Sequence, residues 1–280
     1  MRSPVTTMKV QRIDGASIGD ADDLLVTEEP LEIRLGHGPL IDRKETRISV
    51  TMRTPGNDDE LAIGFLYTEG IIGSIDEVVS IKHCADVKPE ENGNVIRAEL
   101  HPAFEVDPLR WQRNFYTTSS CGVCGKTSID AVKVSCGELR SFVEMDPQLI
   151  TALPDRMKKA QTVFTHTGGI HAAALFDRKG GLLLLREDVG RHNAVDKVIG
   201  AMLRSKIDVH ETILLVSGRA GFELVQKCAV AGIPAMAAIG APSSLAVDLA
   251  RSTGLTLIGF LRGDRFNIYS PKTSRDLRKG

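Results

Sequence analysis

Apolar and polar residues alternate in two early stretches, Leu31 to Leu35 and Ile48 to Met52, with the period of a strand that buries one face. Gly36-His37-Gly38-Pro39 between them supplies turn residues, so the pattern predicts an N-terminal sheet. Ahead of it, residues 1–28 mix charge and polarity without a period and read as a loosely ordered lead-in. Asn57 followed by Glu60 has the form of a capping box, and Leu61, Ile63 to Leu66 and Ile71 then line one face of a helix closed by Gly70 and Gly73. Val95 to Leu100 reads as a further strand, and residues 102–126 show no period.

The second half changes character. A helix over Pro147 to about Ala160 carries Pro154, which is expected to shorten or bend it. His171 to Phe176 and Leu182 to Arg186 flank the turn residues Asp177 to Gly181 as a hairpin. There follow a helix with Val195, Val198, Ile199 and Met202 on one face, strand Thr212 to Val216, helix Ala220 to Ala231, strand Ala235 to Ile239, helix Ser244 to Ser252 and strand Leu255 to Phe260. This alternation predicts an α/β fold with a mostly parallel sheet covered on both faces, and ligands beyond the carboxyl ends of its strands. The chain thus divides into a lead-in (1–28), a smaller β-rich N-terminal lobe with one helix (29–115), a connector holding a cysteine loop (116–146), an α/β core (147–270) and a basic tail (271–280).

Composition narrows the function classes. With 280 residues, 35 Lys+Arg against 36 Asp+Glu and a formal net charge of -1, the chain has no overall attraction for nucleic acid or an anionic membrane. An anionic ligand must therefore be met by a local basic cluster. The best apolar run, Cys228 to Ile239, is interrupted by Gly232 and Pro234 and falls short of the roughly 18 residues of a membrane span. The opening residues include Arg2, Lys9 and Arg12 but no apolar segment behind them, so no signal peptide and a cytoplasmic location are expected. Five cysteines in such a compartment are expected as thiols, thiolates or metal ligands rather than bridges.

The sharpest local signal is Ser119-Ser120-Cys121-Gly122-Val123-Cys124-Gly125-Lys126. A C-x-x-C pair can be half a zinc site, a dithiol redox centre, or a nucleophilic thiol with a neighbour that tunes or resolves it. A second close ligand pair is offered only by His83-Cys84, which alternate faces in a strand; the deaminase signatures H-x-E and P-C-x-x-C are missing, so no resident metal is expected. Gly125-Lys126-Thr127 fails as a phosphate loop because Ser120 stands where glycine is required. What remains is a glycine-flanked polar loop whose Lys126 favours a thiolate, while Cys136 and Cys228 sit in apolar or helical surroundings as inert thiols. Thiol–disulfide exchange at Cys121 and Cys124, a zinc-stabilised module that binds a redox enzyme without chemistry, and a loop whose sulfur travels between partners all stay open.

Three further segments suit an anion. Arg186 to Lys197 places carboxylates at a strand end and Arg191, His192 and Lys197 at a helix start. Ser217-Gly218-Arg219 follows a buried strand, with Gly218 allowing close approach to the helix behind it. Phe260-Leu261-Arg262-Gly263-Asp264-Arg265 lies beyond the last core strand, where its arginines suit phosphate. Thr167-Gly168-Gly169-Ile170-His171 can bring backbone near such a ligand, although a single histidine there more often serves a turn or the core.

In order and spacing, Glu29-Pro30-Leu31, Thr54-Pro55-Gly56 with Leu61 to Ile72, Cys121 to Gly125, Thr167-Gly168-Gly169 with His171-Ala172-Ala173, Glu187 to Lys197, and Ser217-Gly218-Arg219 with Val225-Gln226-Lys227 resemble the formate dehydrogenase accessory sulfurtransferases of FdhD type. The resemblance runs from about residue 28 to about residue 270, through Asn267-Ile268-Tyr269. It implies a cytidine-deaminase-like three-layer core without the zinc signature, and a homodimer. It implies that a cysteine desulfurase hands sulfur to Cys121 as a persulfide, with Cys124 taking it in turn or resolving it. The sulfur then passes to a molybdenum bis(molybdopterin guanine dinucleotide) cofactor, or its tungsten counterpart, before insertion into formate dehydrogenase. The implied cofactor segment is Phe260 to Arg265, and no nucleic acid or membrane partner is expected.

Overall fold

The computed structural model describes residues 2–104, 139 and 146–270, arranged in a two-stranded, a four-stranded and a six-stranded sheet. The segment read as a loosely ordered lead-in forms an antiparallel ribbon of β1 (Val5–Asp14) and β2 (Ser17–Val26). Gly15, with φ +60°, supplies the left-handed residue of its two-residue turn. Most side chains of this ribbon are exposed, which is why no one-sided alternation marks it. Its pairing is carried locally, by Lys9 opposite Asp22 and by Ile13 opposite Ile18 beside the turn.

The four-stranded sheet comprises β3 (Glu29–His37), β4 (Lys44–Arg53), β5 (Val78–His83) and β6 (Val95–Leu100), in the order β4-β3-β6-β5. Leu31, Ile33 and Leu35 of the predicted alternation are fully buried, packed with Leu61 and Leu66 of helix α1 (Asp58–Thr68). The expected capping box is not formed: Asn57 sits in the left-handed region at φ 56° and its side chain makes no cap bond. Glu60 instead grips Arg186 of the neighbouring sheet, with carboxylate–guanidinium contacts of 2.5 and 2.7 Å. Its acidic first turn still complements the helix dipole.

The six-stranded sheet runs β12 (Arg265–Ile268), β11 (Thr256–Arg262), β10 (Ala235–Ala238), β9 (Thr212–Val216), β7 (His171–Asp177), β8 (Leu182–Asp188). It is mixed rather than mostly parallel by pairing: β9–β10 and β10–β11 are parallel, whereas β7–β8, β7–β9 and β11–β12 are antiparallel. The tight turns at Asp177–Gly181 and at Gly263 (φ +56°) are too short for a crossover and reverse the chain. Strands β8 to β11 nevertheless share one direction.

Alternation along these strands sends two sets of side chains to opposite faces. Ala173, Leu175, Leu214, Val216, Met236 and Leu257 pack with α4 (Arg191–Arg204), α5 (Phe222–Val230) and α6 (Ser244–Thr253). Ala172, Ala174, Phe176, Ile213, Leu215 and Ala237 pack with α2 (Pro147–Ala160), whose Ile150, Leu153 and Met157 are buried. Asp146 caps α2 through Gln148 N–H, and the helix continues through Pro154. A short helix, α3 (Thr162–Thr167), leads into β7. Helices α1 and α4 cross with backbones in contact at two glycines. A Cβ at Gly64 would collide with the Asp196 carbonyl, and one at Gly200 with the Glu60 carbonyl. No helix among the described residues is long and apolar enough to cross a membrane.

Candidate functional site

Because β8 to β11 share a direction, their carboxyl ends lie along one edge of the sheet, and antiparallel β7 begins there. Asp188, which ends β8, is completely buried and takes Lys197 Nζ at 2.7 Å, Gly190 N–H at 2.8 Å and Asn193 Nδ2 at 3.0 Å. Glu187 accepts from Val163 and Phe164 N–H, both at 2.9 Å, and so caps α3. Lys197 also donates to the Thr54 carbonyl at 2.8 Å. The carboxylates and the lysine that the sequence places beside a ligand are therefore the frame on which the helix start is hung.

What this frame presents is the beginning of α4. Its N-cap is Gly190 and no side chain caps it, so the first N–H groups and the half-buried Arg191 face the edge. Helix α5 likewise starts from Gly221 without a side-chain cap. His192 Nε2 sits 2.9 Å from Glu223 Oε2, joining the two helix starts.

Beyond β9, Ser217 continues the ladder: its N–H donates to the Ala172 carbonyl at 3.0 Å, and its Oγ accepts from Ala172 N–H at 2.9 Å. Gly218 lies near both His171 and Arg191; a Cβ there would stand 3.6 Å from the imidazole and 3.9 Å from Arg191 Cδ. Its carbonyl accepts Gly240 N–H, and the Gly240 carbonyl accepts Phe260 N–H, each at 3.0 Å. Gly240 has no room for a side chain, since a Cβ would come within 2.9 Å of the Gly218 carbonyl. This glycine, which sequence reasoning missed, carries the same signal as Gly218: a glycine two residues beyond the end of a buried strand.

Phe260 is held with φ 53°, a left-handed conformation that costs a non-glycine residue energy. The strand register shifts between Gly259 and Arg262, and the ring is 43% exposed at the edge. Arg262, exposed, lies close enough for its Nε to donate to the Ile239 carbonyl at 3.4 Å. The structure thus brings Arg191, His192, Gly218, Arg219, Phe260 and Arg262 to one edge. Leu261 differs: its side chain is fully buried in the core beside Phe176 and Ile258. Gly263, Asp264 and Arg265 form and follow the reversal between β11 and β12, with Arg265 paired opposite Arg262. Cys121, Cys124, Lys126 and Cys136, most of the 116–146 connector and the 271–280 tail lie outside the described residues. Among the described cysteines, Cys228 is buried and its thiol is pushed far up by burial.

His171 is half-buried at the start of β7. Burial, and then the charges of Arg191 and His192, lower its basicity; Asp188 offsets this in part. Burial and these charges therefore favour the neutral imidazole. Among the described residues no cluster of His, Cys, Asp and Glu has the form of a metal site.

Residues 26–275 match the model of the FdhD/NarQ family. A protein of Streptomyces avermitilis named "Sulfur carrier protein FdhD" is 50% identical over 268 residues, spanning 94% of this chain and 92% of that one. A protein of the same name from Mycolicibacterium paratuberculosis is 51% identical over 256 residues, 89% of this chain and 90% of that one. The crystal structure of a protein described as a putative formate dehydrogenase accessory protein, from Desulfotalea psychrophila, superposes with a TM-score of 0.72 at 23% identity, covering 96% of this chain and 98% of that one.

Proposed function

Because the chain belongs to the FdhD/NarQ family, we propose that it is a sulfur carrier serving formate dehydrogenase. In this reading Cys121 accepts sulfur from a cysteine desulfurase: its thiolate attacks the outer sulfur of the donor's persulfide, the donor S–S bond breaks, and the donor cysteine leaves as thiolate. Cys124 relays that persulfide, or resolves it: its thiolate attacks the Cys121 sulfur, the Cys121–Cys124 disulfide forms and the outer sulfur leaves at the sulfide level. The sulfur then goes to a molybdenum or tungsten bis-guanine-dinucleotide cofactor, bound as substrate and destined for formate dehydrogenase. The reading carries with it a cytoplasmic homodimer.

The observation that supports it best is the shared edge of the six-stranded sheet, where the starts of α4 and α5, Arg191, Gly218, Arg219, Phe260 and Arg262 meet. Uncapped N–H groups and arginines suit pyrophosphate, glycines let it reach the backbone, and the exposed Phe260 ring offers a flat surface to a base. A formal net charge of -1 gives no competing reason for such a basic edge.

The test is a mass spectrum of the intact protein after incubation with a cysteine desulfurase and cysteine, where a gain of about 32 Da in the unmodified chain, lost in Cys121→Ala, is expected. A Cys121→Ala variant that gains the same mass, or restores active formate dehydrogenase in cells lacking the protein, overturns the carrier role of that residue.

A further inference from the structure

We propose that His171 is a phosphate-contacting residue of this edge, taking one proton from solvent when the pyrophosphate of a guanine dinucleotide binds. The inference rests on the reading above that such a nucleotide binds there. It begins with geometry: β7 runs against β8 and β9, so its first residue stands where their last ones do. The imidazole and Arg191 both come within 4 Å of where a side chain at Gly218 would begin, so the missing side chain leaves room beside both. Ser217 turns its hydroxyl back onto Ala172.

The charged groups that face the ring are Arg191 and His192 from the start of α4 and Asp188 from the end of β8. Asp188 is already matched by Lys197, and His192 is held on Glu223, which leaves the half-buried ring chiefly in the field of Arg191. A permanent cation there would repel Arg191 in the empty protein. A histidine eases that conflict, because burial and Arg191 favour its neutral form while the site is empty, and phosphate oxygens favour its charged, donating form once they reverse the local sign. Binding and protonation are then linked: affinity is highest at low pH and is lost as pH rises through the basicity of the ring in the complex.

The probe is GDP-mannose, whose pyrophosphate is a diester, as in a dinucleotide, and so has no group of its own that titrates near neutrality. Calorimetry at pH 7 in HEPES and in Tris reads protons taken up as a buffer-dependent heat. We expect uptake of part of one proton, and an affinity that falls about three- to tenfold from pH 6.5 to 8. In His171→Gln, binding is weaker and insensitive to pH over this range. Imidazole nitrogen chemical shifts of the unmodified protein, with and without GDP-mannose, read the same protonation without any variant. Binding with no buffer-dependent heat, or uptake that survives in His171→Gln, overturns the role of His171 and leaves the nucleotide reading standing. No binding of GDP-mannose at any pH overturns both.

Discussion

Asp188 and Arg191 are three residues apart and do opposite work. Asp188 is fully buried and spends its oxygens on Lys197, Gly190, Asn193 and Thr54, whereas Arg191 is half-buried and faces the sheet edge. Removing each should therefore give a different phenotype. Asp188→Ala leaves the Lys197 ammonium buried without its partner, and we expect a loss of about 3–5 kcal/mol in urea denaturation. Arg191→Ala or Arg262→Ala should melt near the parent temperature and lose about ten- to hundredfold in GDP affinity by calorimetry, the worth of a charge-assisted hydrogen bond. From the sequence these residues look alike, polar groups crowding a strand-to-helix junction, and only burial separates frame from ligand surface.

At the scale of elements, the crossing of α1 and α4 is what joins the N-terminal sheet to the α/β core. Gly64 and Gly200 set its depth, since each lies against a carbonyl of the other helix. Alanine gains about 1 kcal/mol over glycine in helix propensity, so a net loss in Gly200→Ala measures the crossing itself. We expect it to be destabilised by about 1–3 kcal/mol in thermal or chemical denaturation, with the same sign for Gly64→Ala. The hydrophobic period correctly located both helices but says nothing of how near two backbones come. The β1–β2 ribbon shows the converse: with both faces largely wet it has no one-sided pattern, and its register comes from Gly15 and from cross-strand pairs.

For the whole molecule, a second tie reinforces the crossing. Lys227 of α5 is buried and donates to Thr68 at 2.8 Å, Asp196 at 3.0 Å and Glu69 at 3.1 Å, so α1, α4 and α5 share one ion cluster. Burial works against the charge on Lys227, but Asp196 and Glu69 outweigh it and hold the ammonium charged. With this cluster and the glycine crossing, both sheets should open together. Native-state hydrogen exchange is expected to give amides of β3 and β6 the same limiting free energy as those of β9 and β10; a lower ceiling in the four-stranded sheet would show that it opens alone.

Much of this was present in the chain before folding. Alternation at Leu31 to Leu35, the buried runs at Thr212 to Val216 and Ala235 to Ile239, and glycines after strands were enough to place most core elements and to bring Gly190 to His192, Ser217 to Arg219 and Phe260 to Arg262 to one edge, because local period reports burial and strand ends follow from it. Tertiary structure decided the rest. Strand direction at β7 depends on its pairing with β9, whose residues lie far from it in sequence. The left-handed turn of Phe260 and the inward turn of Leu261 depend on a register shift against β12. The lowered basicity of His171 depends on burial and on the charges of Arg191 and His192 brought from α4, which no local window contains.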